Sequence, residues 1–205
     1  LAALRDLGVS NLEIYDDVLM GGDTAGVRAL ADMLSAASFS WDANMRVAML
    51  SDGLLSRLET SGCNSLYFGL ESDDDRVLKT LGKGFNSCQL HSGLELLRGR
   101  RIKKVFSIIA GLPAEDAQAD AGRALDLAGD IHRLHPDAEI QIQSFVPLPG
   151  SALYPEALKR GWRVPKSLLG WVSHDHFNVR LPWFRNQALP GRLCLSSFLA
   201  WRYHR

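Results

Sequence analysis

Apolar and polar positions along the chain form a unit that recurs. A stretch with helical spacing ends at a glycine, a short link follows, and an apolar run of strand length comes next. Leu4-Arg5-Asp6-Leu7-Gly8 leads into Asn11-Leu12-Glu13-Ile14-Tyr15. Leu58-Glu59-Thr60-Ser61-Gly62 leads into Ser65-Leu66-Tyr67-Phe68-Gly69-Leu70, and Leu96-Leu97-Arg98-Gly99 into Val105-Phe106-Ser107-Ile108-Ile109. These glycines suit the left-handed position that closes a helix. Phe39 to Ala43 and Ala138 to Val146 read as further strands. Between them, Val27, Leu30, Ala31 and Leu34 share one helical face, and Leu54, Leu55 and Leu58 follow Ser51, a good helix start. Asn86 with Gln89 three residues on opens the helix of Leu90, Leu94 and Leu97. A longer helix spans Ala117 to Leu134. The alternation predicts an α/β fold whose parallel sheet is wound by right-handed crossovers, either closed towards a barrel or open and doubly wound.

After Leu148 the pattern dissolves. The tail holds five prolines, from Pro149 to Pro190, and four of the five tryptophans. It reads as an appendage that packs across the sheet layer and ends in a helix from about Arg192 to Tyr203. The predicted boundaries are residues 1–160 for the repeating unit and 161–205 for the appendage. The chain opens at Leu1 inside an apparent helix, which leads us to expect a fragment.

Length and composition narrow the function classes. With 205 residues, 46% of them hydrophobic, one globular domain with a buried core is within reach. The 23 basic and 23 acidic residues cancel, so no basic excess points to nucleic acid. The basic cluster from Arg98 to Lys104 reads as a solvent-facing turn. No run approaches the roughly 20 apolar residues of a membrane span. The residues from Leu1 to Gly8 carry charge and are not a signal peptide. Cys63, Cys88 and Cys194 are too widely spaced for a disulfide framework or a metal motif, and a reducing, cytoplasmic setting is the default.

Parallel α/β folds bind ligands at the carboxyl ends of their strands. Here those positions are Asp16-Asp17, then Asn44 and Arg46, then Gly69-Leu70-Glu71-Ser72, then Gly111-Leu112-Pro113, and finally Val146-Pro147-Leu148-Pro149-Gly150. Each has a plainer reading. Asp16-Asp17 or Glu71-Ser72 would cap a helix, Arg46 would serve an ion pair, and Asp73, Asp74 and Asp75 would face the positive end of the next helix. His174 and His176 read as surface histidines, since an i,i+2 pair lacks a third ligand. Cys63 reads as core.

Taken in order, the strand ends resemble the radical S-adenosylmethionine superfamily, and within it the branch that carries an N-terminal cobalamin-binding domain. The matching pieces are Asn11-Leu-Glu-Ile-Tyr-Asp-Asp17, Trp41-Asp-Ala-Asn-Met-Arg46, Gly62-Cys-Asn-Ser-Leu-Tyr-Phe-Gly-Leu-Glu-Ser72 and Asp75-Arg-Val-Leu-Lys-Thr-Leu-Gly-Lys83. Ser107-Ile-Ile-Ala-Gly-Leu-Pro113 with Glu115, and Gln143-Ser-Phe-Val-Pro-Leu-Pro-Gly150 with Leu153-Tyr154, complete the set. The resemblance covers about residues 1–160. It implies a partial (β/α) barrel lacking its first strand, with a C-terminal helical appendage. It implies a [4Fe–4S] cluster held by CxxxCxxC, S-adenosylmethionine bound at the open iron, and 5′-deoxyadenosyl radical chemistry, with cobalamin-dependent methylation or ring modification in the branch named. It assigns Glu71 and Ser72 to the cofactor's ribose or amino-acid part. Ile109 and Gly111 fall to the adenine and ribose, and Phe145, Val146, Pro147 and Leu148 to the adenine. Ser107 stands where the motif often has glycine. Asp16, Asn44 and Arg46 are assigned to substrate or to the cofactor's carboxylate.

CxxxCxxC is absent from this sequence. The expectation is therefore a fragment that is inactive by itself and binds no cofactor tightly. It would have no metal site of its own, a small-molecule substrate, no nucleic-acid or membrane partner, and a missing N-terminal segment of the same enzyme as its complement. The alternative is a non-catalytic, degenerate barrel that binds a nucleotide or a protein partner.

Overall fold

The computed structural model describes residues 1–172 and 174–203, and side chains of residues 199–203 are outside the description. In chain order the elements are α1 (Ala2–Asp6), β1 (Asn11–Ile14), α2 (Thr24–Ala36), β2 (Ser40–Asn44), α3 (Asp52–Thr60), β3 (Cys63–Glu71), α4 (Asp75–Thr80), α5 (Ser87–Leu96), β4 (Lys103–Ala110), α6 (Ala117–Leu134), β5 (Glu139–Ser144), α7 (Tyr154–Lys159), α8 (Leu168–Val172) and α9 (Leu189–Tyr203). The five strands form one parallel sheet in the order β1-β2-β3-β4-β5. Sequential order with helical crossovers is what a wound barrel wall produces. A doubly wound sheet would reverse its strand order part-way.

The chain packs as two compact units. The first comprises Leu1–Leu70, Cys88–Phe106 and Leu134–Glu139, and the second Glu71–Ser87, Ser107–Arg133 and Ile140–Arg205. Strands β3, β4 and β5 pass from the first into the second, so the carboxyl ends of these three belong to the second unit.

In the first unit, β2 shows why the strands settle as they do. Trp41 and Ala43 are buried on one face, while Ser40, Asp42 and Asn44 are half-buried on the other. The same alternation runs along β3, with Leu66, Phe68 and Leu70 buried. A parallel sheet covered by helices on both faces carries apolar residues on both. Here the second face of β2 is polar and half-buried. Leu54, Leu55 and Leu58 of α3 and Val27, Ala31 and Leu34 of α2 are buried too, as their spacing predicts, and α2 lies against both β2 and α3. Helix ends also follow the sequence. Ser51 Oγ accepts from the Leu54 amide at 3.3 Å, and Gly8, Gly62 and Gly99 all have positive φ. At Gly62 a Cβ would sit 2.6 Å from the Phe39 carbonyl oxygen, so that glycine serves a close approach as well as a turn.

Two expectations are corrected in this unit. The basic cluster is a solvated turn only in part, since Arg98 and Arg101 are exposed but Arg100 and Lys104 are not. Arg100 pairs with Asp52 at 2.6 Å and Glu59 at 3.2 Å. Lys104 is 1% exposed, with its ammonium 3.0 Å from both Asp137 and the Arg100 carbonyl. A buried ammonium needs such partners to stay charged, and Lys104 in turn holds the Asp137 carboxyl below its usual range. The cap of α2 is Asp23, which accepts from the Ala25 and Gly26 amides, and not Asp16 or Asp17.

In the second unit, the core joins the strand ends to the tail. Leu112, Ala117, Ala121 and Phe145 pack with Ala157, Trp162, Val179, Leu181 and Phe184. The appendage therefore shares this unit's core, and its terminal helix begins at Leu189, three residues earlier than expected. The histidines differ from expectation only in part. His174 is half-buried and His176 is exposed as expected, but both are engaged: their Nδ1 atoms lie 2.7 Å and 2.8 Å from the carbonyls of Gly170 and Ser144.

Candidate cofactor-binding strand ends

Strand β3 ends in an unusual backbone. Glu71 has φ +66, a conformation that costs a non-glycine residue roughly 1–3 kcal/mol and tends to persist where surrounding structure enforces it. Two side chains do so. Lys83 Nζ donates to Oε1 at 3.1 Å, and Ser107 Oγ donates to Oε2 at 3.3 Å. Glu71 and Lys83 are both largely shielded, so this pair is less screened than a surface one. Ser72, buried beside it, accepts the Asp74 amide on its hydroxyl at 3.1 Å and tightens the turn. Asp74 then caps α4 and pairs with Arg76, whose hydrogen bond holds the Asp74 carboxyl below the usual range. Asp75 also accepts the Ser87 amide at 2.7 Å. Of the three acids expected at that helix start, Asp74 is its cap and Asp75 lies in its first turn.

The end of β4 is covered by the appendage. Gly111 has φ +93, its carbonyl accepts from Trp183 Nε1 at 3.2 Å, and a Cβ there would lie 2.7 Å from Leu181 and 3.0 Å from Pro190. Glycine at this position thus answers to the tail's own packing. The next amide, Leu112, donates to the buried Asp120 carboxylate at 3.2 Å. Burial pushes that carboxyl up, against the pull of the amide and of Arg123 at 3.6 Å. Ile109 is half-buried against the same core. At the end of β5, Phe145 and Pro147 are buried, Val146 is half-buried and Leu148 is exposed. The Phe145 ring lies 6.3 Å from that of Trp183. The structure thus gathers Glu71, Ser72, Ile109, Gly111 and Phe145–Leu148 in one compact unit.

The remaining three sequence candidates lie in the other unit. Asn44 Nδ2 donates to the Asp16 carbonyl at 2.9 Å and ties two strand ends together. Arg46 is exposed and has no ion pair among the described residues. Among those residues no group of three histidine, cysteine or carboxylate side chains is arranged to hold a metal. Lys83 and Ser107 were quoted in the sequence motifs without a role, Trp183 belonged to the tryptophan-rich tail read as packing, and Asp120 carried no signal at all.

No family model matches the chain. An uncharacterized methyltransferase of Pyrococcus horikoshii is 25% identical over 111 residues, which is 54% of this chain and 24% of that protein. Among solved structures, the radical S-adenosylmethionine methyltransferase TsrM of Kitasatospora setae, with cobalamin and a [4Fe–4S] cluster bound, superposes over 77% of this chain and 32% of its own, at 13% identity and TM-score 0.60. The fold is that of radical S-adenosylmethionine enzymes. Coproporphyrinogen III oxidase from Escherichia coli, another radical S-adenosylmethionine enzyme, matches over 80% of this chain and 38% of its own, at 15% identity and TM-score 0.58. Cobalamin-dependent OxsB matches as well, with TM-score 0.54. The chain spans about a quarter of the curated relative and about a third of TsrM. No helix among the described residues is long and apolar enough to cross a membrane.

Proposed function

We propose that this chain supplies the nucleoside-binding part of a radical S-adenosylmethionine enzyme, with Glu71 as the principal acceptor for the cofactor. The observation that carries this reading is the Glu71 carboxylate, held in a strained backbone by two side chains at a strand's carboxyl end. A carboxylate offers about four lone-pair sites. Two are used by Lys83 and Ser107, which leaves acceptor capacity for a hydroxyl or an ammonium group. Ser72 stands beside it. Ile109, Gly111 and Phe145 to Leu148 offer an apolar wall and backbone groups suited to a purine. Asp16, Asn44 and Arg46 keep, on this reading, the role of meeting substrate or a carboxylate.

The residues do not fit the cluster. CxxxCxxC is absent, Cys63 and Cys194 are buried, and Cys88 is exposed and alone. Burial pushes the Cys63 thiol up, away from the thiolate that iron requires. No step is derived through a cluster, and radical chemistry belongs to this chain only in company with thiolates from elsewhere. Cobalamin use, methylation of a small molecule and fragment status rest on the same family likeness. The unsuited thiols favour a second reading, in which the barrel binds a nucleotide without radical chemistry. Both readings share the nucleoside site.

That site is tested by titrating the chain with S-adenosylhomocysteine at millimolar concentration and following backbone amide shifts. Saturable shifts centred on Ser72, Gly111 and Phe145, weakened at least roughly fivefold by Glu71→Gln, are expected. Shifts that never saturate, or that ignore Glu71→Gln, would sink the assignment.

A further inference from the structure

Strand β4 carries a buried hydroxyl at a position where the resembling motif often has glycine. Ser107 is 3% exposed, and its Oγ reaches Oε2 of Glu71 on the neighbouring strand at 3.3 Å. The other carboxylate oxygen is taken by Lys83 at 3.1 Å. A glutamate held by its lysine alone can still rotate about its terminal torsion, which is broad and roughly two-fold. A second bond, to the second oxygen and from a different element, removes that freedom. It also acts on a residue whose backbone is already strained at φ +66, so anchoring the side chain helps enforce the conformation. Among the described residues the Ser107 hydroxyl has no other hydrogen-bond partner, and a buried hydroxyl without one is costly.

We propose that Ser107 is a positioning residue for the Glu71 carboxylate, locking the plane in which that group meets the cofactor. This rests on the reading of Glu71 as the cofactor's acceptor. Pre-organised acceptors bind more tightly because the ordering cost is met before the ligand arrives. The serine would then do in this chain what a glycine there cannot, since glycine offers no donor.

The experiment is a binding cycle on the whole chain with S-adenosylhomocysteine as the probe. Ser107→Ala should raise Kd roughly five- to tenfold, the scale of one hydrogen bond to a charged group, with the melting temperature little changed. Ser107→Thr, which keeps the hydroxyl, should restore Kd to within roughly twofold, and Ser107→Ala should add nothing in a Glu71→Gln background. Equal Kd for the wild type and Ser107→Ala, with Glu71→Gln still weakened, overturns the role of Ser107 and leaves the cofactor reading standing. No saturable binding by the wild type overturns both. A crystal structure of Ser107→Ala needs no ligand: an Oε2 that keeps its place refutes the lock, and a rotated or doubled carboxylate supports it.

Discussion

The strand ends of the two units differ in how they are held. In the second unit, Glu71 is tied by two side chains, Gly111 is roofed by Trp183, Leu181 and Pro190, and Leu112 hangs on the buried Asp120. In the first unit, Asn44 donates to the Asp16 carbonyl across the ends of β1 and β2, and Arg46 is exposed with no ion pair among the described residues. One set is built to hold a fixed shape. The other has polar groups whose orientation solvent leaves open. On the function we propose, the first kind suits a cofactor that must bind the same way each time. Groups that meet a substrate tolerate the second, since affinity there can come with binding.

This contrast makes graded predictions. Gly111→Val should be the most damaging, costing about 3 kcal/mol or more, because it adds a β-branched side chain at positive φ within reach of Leu181 and Pro190. Denaturant unfolding followed by tryptophan fluorescence reads it, and a midpoint like the wild type's would mean the roof is loose. Asp120→Ala comes next, at about 1–3 kcal/mol, since it strands the buried Leu112 amide. Asp120→Asn keeps an acceptor and sheds the buried charge. Because burial raises the folded-state pKa of Asp120 above its unfolded value near 3.9, the folded state holds the extra proton in that window. The stability this gives is present below the unfolded pKa and is lost as pH rises through the folded one. Asp120→Asn should therefore flatten the stability–pH curve in mild acid, and an unchanged curve would remove Asp120 as its cause. Smallest are Asn44→Ala and Arg46→Ala, each within about 0.5 kcal/mol by the same unfolding assay. A larger loss from either would erase the distinction between the two sets of strand ends.

The sequence foretold the skeleton because periodicity is local. Helix α6 lies where its apolar spacing put it, at Ala117–Leu134, and the glycine-closed helices precede the strands they were read to precede. What periodicity could not foretell was partnership. Lys104 looked like one more surface cation until β4 carried it inward beside Asp137. Ser107 looked like a lapse from a glycine motif until the neighbouring strand placed Glu71 against it. Asp120 sat one helical turn into α6 with nothing nearby in sequence to mark it, because its partner is an amide eight residues back. The tail resisted reading for a related reason. Its order comes from contacts with strand ends, such as Trp183 on Gly111 and His176 on Ser144, and not from any repeat of its own.

The cysteines, unsuited to iron, lend themselves to another use. Cys63 and Cys194 are buried and Cys88 is exposed. A maleimide dye added to the native chain would therefore mark residue 88 alone, near the start of α5, and leave a defined single-site conjugate. Since Cys63 lies in the first unit and Cys194 in the second, a later pulse of a heavier thiol reagent, read by mass on peptides, would time the opening of each unit separately with no residue altered.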